Sequence, residues 1–208
     1  MVSYYKTIDG RISEIEQYES GCWINCVAPE EDEIEALIQN FNIEPDFLRA
    51  SLDEEESSHI DSEDGNTLII IDIPVVEKHE KNIRYSTMPL GIMLTEKNVI
   101  TVCLKETALL SEFAEGVLKG VMTNLKTHFV LRMATKYLQY LKQIDKISDH
   151  VERELRKSMK NQELIQLLDI EKSLVYFSSS LKADEVTLEK IMRGRYIKLY
   201  DEDQDLLE

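Results

Sequence analysis

The chain has 208 residues, 43% of them hydrophobic, with 24 Lys and Arg against 40 Asp and Glu and a formal net charge of −16. That supplies a real core for one large domain, or one domain with an appendage. The shortage of basic residues argues against nucleic-acid phosphate and anionic lipid heads as partners. The charge is also local: residues 28–64 carry 14 acids and one base, Arg49, whereas residues 65–208 hold 22 acids and 21 bases.

In chain order, Tyr4–Thr7 and Ile12–Glu16 read as a hairpin around Asp9-Gly10. Cys22–Val27 reads as a short strand ended before Pro29. Pro29 and Glu30–Glu33 suit the first turn of a helix, where proline lacks no needed N–H and acids meet the positive dipole end. Ile34, Leu37, Ile38 and Phe41 give that helix its apolar face. A second short helix starts at Pro45 and buries Phe47, Leu48 and Leu52.

Three strands follow the acidic segment: Thr67–Val76, Arg84–Leu94 and Val99–Leu104, the last two joined through Glu96-Lys97-Asn98. A helix is expected over 108–118. From Thr127 the pattern changes to a helix of about thirty residues, with Tyr137, Leu141, Ile144, Val151 and Leu155 on one side. After a break at Asn161-Gln162, a second long helix is expected to bury Leu164, Leu167, Leu174, Phe177, Leu181, Leu188 and Ile191.

The mixed order implies an α/β (α+β) fold: a layered α/β/α domain with a mixed sheet over 1–120, long antiparallel coiled helices over 121–195, and the start of a further helix over 196–208. No apolar run approaches the ~20 residues that span a bilayer, and no signal peptide opens the chain. Three cysteines, Cys22, Cys26 and Cys103, form no CxxC pair. They read as buried structural thiols in a reduced, cytoplasmic setting.

No Ser-His-Asp order, GxSxG, HExxH or GxxxxGKS pattern is present, so the chain does not read as an enzyme. The acid-rich stretch is the candidate site. Asp46, Asp53, Glu54, Glu55, Glu56, Asp61, Glu63 and Asp64 suit a hydrated hard cation such as Mg²⁺, although they miss the calcium-loop spacing. The plain alternative is a solvated, self-repelling surface loop.

Trp23-Ile24-Asn25, then Pro29 with Glu30-Glu31, Phe41-Asn42-Ile43 and Asp46-Phe47-Leu48, follow one another in an order that resembles the cytoplasmic part of CorA-type magnesium transporters. Leu52-Asp53-Glu54-Glu55-Glu56 leading to Asp64-Gly65-Asn66, Pro89-Leu90-Gly91-Ile92 and Asn98–Val102 extend it. Glu171–Val175 and Tyr200–Asp203 look like the family's later helices.

The resemblance implies a cytoplasmic, Mg²⁺-sensing regulatory portion of a homopentameric transporter, with Mg²⁺ both regulator and cargo. The family's Gly-Met-Asn signature and its C-terminal membrane helices are not in this sequence, so any membrane contact is expected through segments beyond it. The resemblance places a sensing carboxylate at Ala50, which cannot ligate a cation, and leaves Asp46, Asp53 and Glu54 as candidate metal ligands. The alternatives to this leading reading are a non-sensing oligomerisation scaffold of the same transporter, or an acidic soluble metal-dependent enzyme.

Overall fold

The computed structural model describes residues 1–9, 11–78, 83–115, 125–157, 161–194 and 196. Its elements in chain order are β1 (Val2–Ile8), β2 (Arg11–Ile15), β3 (Trp23–Val27), α1 (Glu31–Phe41), α2 (Pro45–Ser51), β4 (His59–Glu63), β5 (Asn66–Lys78), β6 (Ile83–Leu94), β7 (Val99–Cys103), α3 (Ala108–Ala114), α4 (Leu125–Lys157) and α5 (Asn161–Met192). The C-terminal helix expected from 196, the end of the helix expected over 108–118, and Gly10 of the first turn lie outside the described residues.

The seven strands form one mixed sheet in the order β2-β1-β3-β7-β6-β5-β4. All neighbours are antiparallel except β3 and β7, which run parallel from Trp23↔Val99 to Val27↔Cys103. Alternation along β5 sorts side chains to two faces, as a period of two requires. Ile69, Ile71 and Ile73 join a core with α3, α4 and α5, whereas Leu68 and Ile70 join a core with α1 and α2. The result is the expected α/β/α layering.

Aromatic packing fixes the larger core. Trp23 is fully buried, stacked 4.7 Å from Tyr5 and set edge-on to Phe113 and Phe129. Its Nε1 donates to Thr101 Oγ1 at 2.8 Å, and that hydroxyl donates to Asn25 Oδ1 at 2.9 Å. A strand-to-strand chain therefore satisfies three buried polar groups beside the β3–β7 pairing.

Two expectations need correction. The acidic segment, where a surface loop is the plain alternative and no strand is expected, contains one: His59–Glu63 pair with β5, and Asp64 and Gly65, both at positive φ, make the turn between them. As the edge strand, β4 buries Ile60 and exposes Asp61, Ser62 and Glu63. Charge on an edge blocks pairing with another chain, which is why such a polar strand persists.

The second correction concerns α5. Of the expected face, Phe177 and Ile191 are buried and Leu181 and Leu188 pack against the core, but Leu164 and Leu174 are exposed, and Ser173, Ser180, Asp184 and Thr187 are buried in addition. The helix is apolar on several sides, and small residues let it approach the sheet, so the face chosen is not the leucine-richest one. On α4 the expected face holds, with Tyr137, Ile144 and Val151 buried. Tyr137 meets Phe177 of α5 edge-on at 4.9 Å, and both helices share the core of the sheet.

Candidate functional site

Placement of the acids begins with α2. Pro45 takes its first turn, Phe47 and Leu48 are buried, and Ser51 Oγ donates to Phe47 O at 2.7 Å. Ser51 lies directly on Gly91 of β6, where an added Cβ would come within 1.9 Å of Ser51 Oγ. This contact fixes the end of α2, and hence the point from which Asp53 and Glu54 leave.

The structure spreads the sequence-predicted ligands rather than gathering them. Asp46 sits in the first turn of α2, 82% exposed, with its Oδ1 3.7 Å from Arg49 Nη1. Asp53 follows the helix and folds back, its Oδ1 accepting from the Glu55 amide at 3.0 Å. Ala50 is half-buried against the α1–α2 core. Among the described residues, no three His, Cys, Asp or Glu side chains converge as a ligand set.

Glu54 and Glu55 border an open cleft of about 370 Å³ whose other walls include Glu77, Arg84, Lys105 and Tyr176. Its cations are committed: Arg84 Nη2 lies 2.8 Å from Asp169 Oδ1, and Lys105 Nζ 2.9 Å from Glu77 Oε1. Among the described residues Glu54 and Glu55 have no such ion pair, so the rim carries uncompensated negative charge. Exposed carboxylates suit a cation that keeps its water shell, as Mg²⁺ commonly does.

A second cluster, missed from sequence, lies inside. Asp184 of α5 is 1% exposed. Asp72 of β5 stands opposite Pro89, so its N–H and C=O face the side that β4 has left after His59↔Ile70. There the Asp72 N–H donates to Asp184 Oδ1 at 2.9 Å and to Ser58 Oγ at 3.1 Å, and Tyr137 Oη donates to Asp72 O at 3.0 Å.

Ser58 Oγ in turn donates to Asp184 Oδ1 at 2.5 Å. Asp184 Oδ2 and Thr187 Oγ1, one helical turn apart, are buried without a partner among the described residues. Burial pushes the Asp184 carboxyl up to about 7, against the bonds from Ser58 and Asp72, and the like charge of Asp72 adds to it. Burial also raises the Asp72 carboxyl, which Ser180 partly offsets. The signal was legible: Phe177, Asp184 and Ile191 recur every seven residues, so an acid occupies a core position of the helix.

The thiols are inert by comparison. Cys22, Cys26 and Cys103 are all buried and free, and burial pushes Cys26 and Cys103 to about 12.

Residues 18–208 match the family model described as CorA-like Mg2+ transporter protein. A curated relative, the cobalt/magnesium transport protein CorA of Methanocaldococcus jannaschii, is 24% identical over 185 residues, covering 85% of this chain and 56% of its own length. The chain thus spans little more than half of that relative.

Among solved structures, the soluble domain of CorA from the same organism superposes with a TM-score of 0.82 at 20% identity, over 100% of this chain and 85% of that one. The complete CorA structure gives 0.83 at 19%, over 100% and 67%. The ZntB cytoplasmic domain of Vibrio parahaemolyticus gives 0.70 at 10%, over 99% and 86%. At these identities the structures establish the shared fold. No described helix is long and apolar enough to cross a membrane.

Proposed function

The chain belongs to the CorA-like Mg2+ transporter family, and from that premise we propose that it is the cytoplasmic regulatory part of a divalent-cation transporter, responding to Mg²⁺ at its acidic face. The observation that carries the reading is the concentration of 14 acids against one base in residues 28–64, with Asp46, Asp53 and Glu54 exposed at or after α2. Bound cation would screen this face and favour one arrangement of a homo-oligomer, a pentamer in the intact transporter. A ligand shifts such an equilibrium only through its different affinity for the two states.

No catalytic role enters this reading. Mg²⁺ is regulator and, in the intact transporter, cargo; the membrane is reached through segments outside this sequence. The chain's own carboxylates would hold the hydrated ion through outer-sphere contacts, because no convergent triad is available among the described residues.

The test is thermal unfolding with millimolar Mg²⁺ against a salt control of equal ionic strength, for wild type, Asp53→Ala and Glu54→Ala. The expected result is a Mg²⁺-specific rise in Tm for wild type that shrinks in both variants. A second reading, the non-sensing scaffold, is favoured by Ala50 standing where a ligand is expected. It requires simple salt to reproduce the whole Mg²⁺ effect.

A further inference from the structure

We propose that Asp184 is a proton-operated latch, which fastens α5 to the open edge of β5 when protonated and loosens it when ionised. The geometry is that of a fastening. One carboxyl oxygen closes the edge amide of Asp72 and receives Ser58 from the segment before β4. A single side chain of α5 therefore joins two partners 112 and 126 residues away in sequence.

The other oxygen decides how strongly it holds. Asp184 Oδ2 is buried with no donor, so a negative charge shared onto it is neither hydrated nor paired. A neutral carboxyl keeps the same Oδ1 contacts without that cost.

Among the described residues no neighbouring element relieves the charge. β5 presents Asp72, of like sign, and α4 presents the Tyr137 hydroxyl, itself held neutral by burial and by both aspartates. His59 at the start of β4 turns its Nδ1 to Ser57 O and Glu56. Lys136 of α4 is paired with Glu112, and Arg84 of β6 with Asp169. On α5 itself Lys182 is exposed. From β6, Thr87 is taken up by the Ser180 hydroxyl.

The direction follows from linkage. The docked carboxyl has its midpoint near 7, above the ordinary value of ~3.9 for an undocked Asp. The docked state therefore binds more protons between those two values. Its advantage is full below ~4, falls roughly tenfold in equilibrium constant per pH unit up to about 7, and is level above. Ordinary carboxylates have finished titrating over the upper half of this window, which separates the latch from general acid effects.

The experiment is amide hydrogen exchange of the β5 edge, followed at Asp72 from pH 5 to 8.5 and corrected for intrinsic rate, in wild type and Asp184→Asn. Wild-type protection is expected to fall up to roughly tenfold per pH unit to about pH 7 and then level, while Asp184→Asn is flat across the range. Identical pH profiles in the two proteins overturn the proposal.

Carboxyl ¹³C titration of wild type provides a test that does not depend on the variant folding. A midpoint near 7 for Asp184 supports the latch, and one in the ordinary carboxylate range overturns it. Ser58→Ala, which removes a bond that lowers the midpoint, is expected to move the levelling point upward; no movement counts against the mechanism.

Discussion

Gly91 of β6 lies in contact with Ser51 of α2: a Cβ on the glycine would stand 1.9 Å from Ser51 Oγ and 2.5 Å from Ser51 Cβ. The helix end that launches the acidic segment thus rests on bare strand backbone. Gly91→Ala is expected to destabilise by about 1–3 kcal/mol through overpacking. Adding Ser51→Gly in the same chain removes both clashing atoms and should recover most of the loss. Urea unfolding of the two single variants and the double variant measures this coupling.

Thr101 satisfies Trp23 on one side and Asn25 on the other. Thr101→Val keeps the shape and deletes both bonds, leaving a buried indole N–H unpaired. The expected cost is about 1–3 kcal/mol, larger than a surface Thr→Val change. Tryptophan fluorescence during denaturant unfolding reads it directly, since Trp23 is the single tryptophan.

On α5 the leucine at 174 and the serine at 173 exchange their expected roles. Leu174 is 42% exposed, whereas Ser173 is buried, donates to Asp169 O and accepts the Tyr85 amide. Leu174→Lys should therefore change stability by less than about 0.5 kcal/mol. Ser173→Leu should cost at least about 1–3 kcal/mol by overpacking, with loss of the Tyr85 acceptor in addition. The opposite ranking in thermal unfolding would restore the leucine face.

That exchange marks where sequence stops being readable. Leu68 to Ile71 and Ile92 were plain as strands because they are apolar runs between turn signals, and α4 was plain because polar residues separate its stripe. α5 has apolar residues around much of its circumference, so periodicity offers several faces, and contact with the sheet chooses among them by volume. β4 hid for a related reason: its five residues include one apolar side chain, Ile60, and it owes its pairing to the neighbouring β5.

The candidate site divides in the same way. Exposure of Asp46, Asp53 and Glu54 was legible from charge, because like charges repel and seek water. Their failure to converge was not, since it depends on where α2 ends against Gly91. Asp184 could be flagged by its spacing from Phe177 and Ile191, but its partners Ser58 and Asp72 are brought to it by tertiary structure alone.

The cysteines give a chemical prediction. Burial raises all three thiols, Cys26 and Cys103 to about 12. At pH 8 the latter two have on the order of one thiolate in ten thousand, and the thiolate is the reacting species. Iodoacetamide should leave the native protein unmodified and label three sites in denaturant. Mass spectrometry after a timed quench counts them, and rapid native labelling would contradict this burial.

β7 is the last of the described strands along the chain and the middle strand of the sheet they form. Until residues 99–103 are available, β3 has no partner on its inner side, and β6 has only β5. The N-terminal three strands, ordered β2-β1-β3, and the β4–β5–β6 meander are thus two half-sheets held apart by a missing keystone. During synthesis the first 98 residues form a pair of local pieces with open edges, and one five-residue strand joins them at once. Because loop closure across 76 residues must precede that gain, its arrival is the natural commitment step of folding.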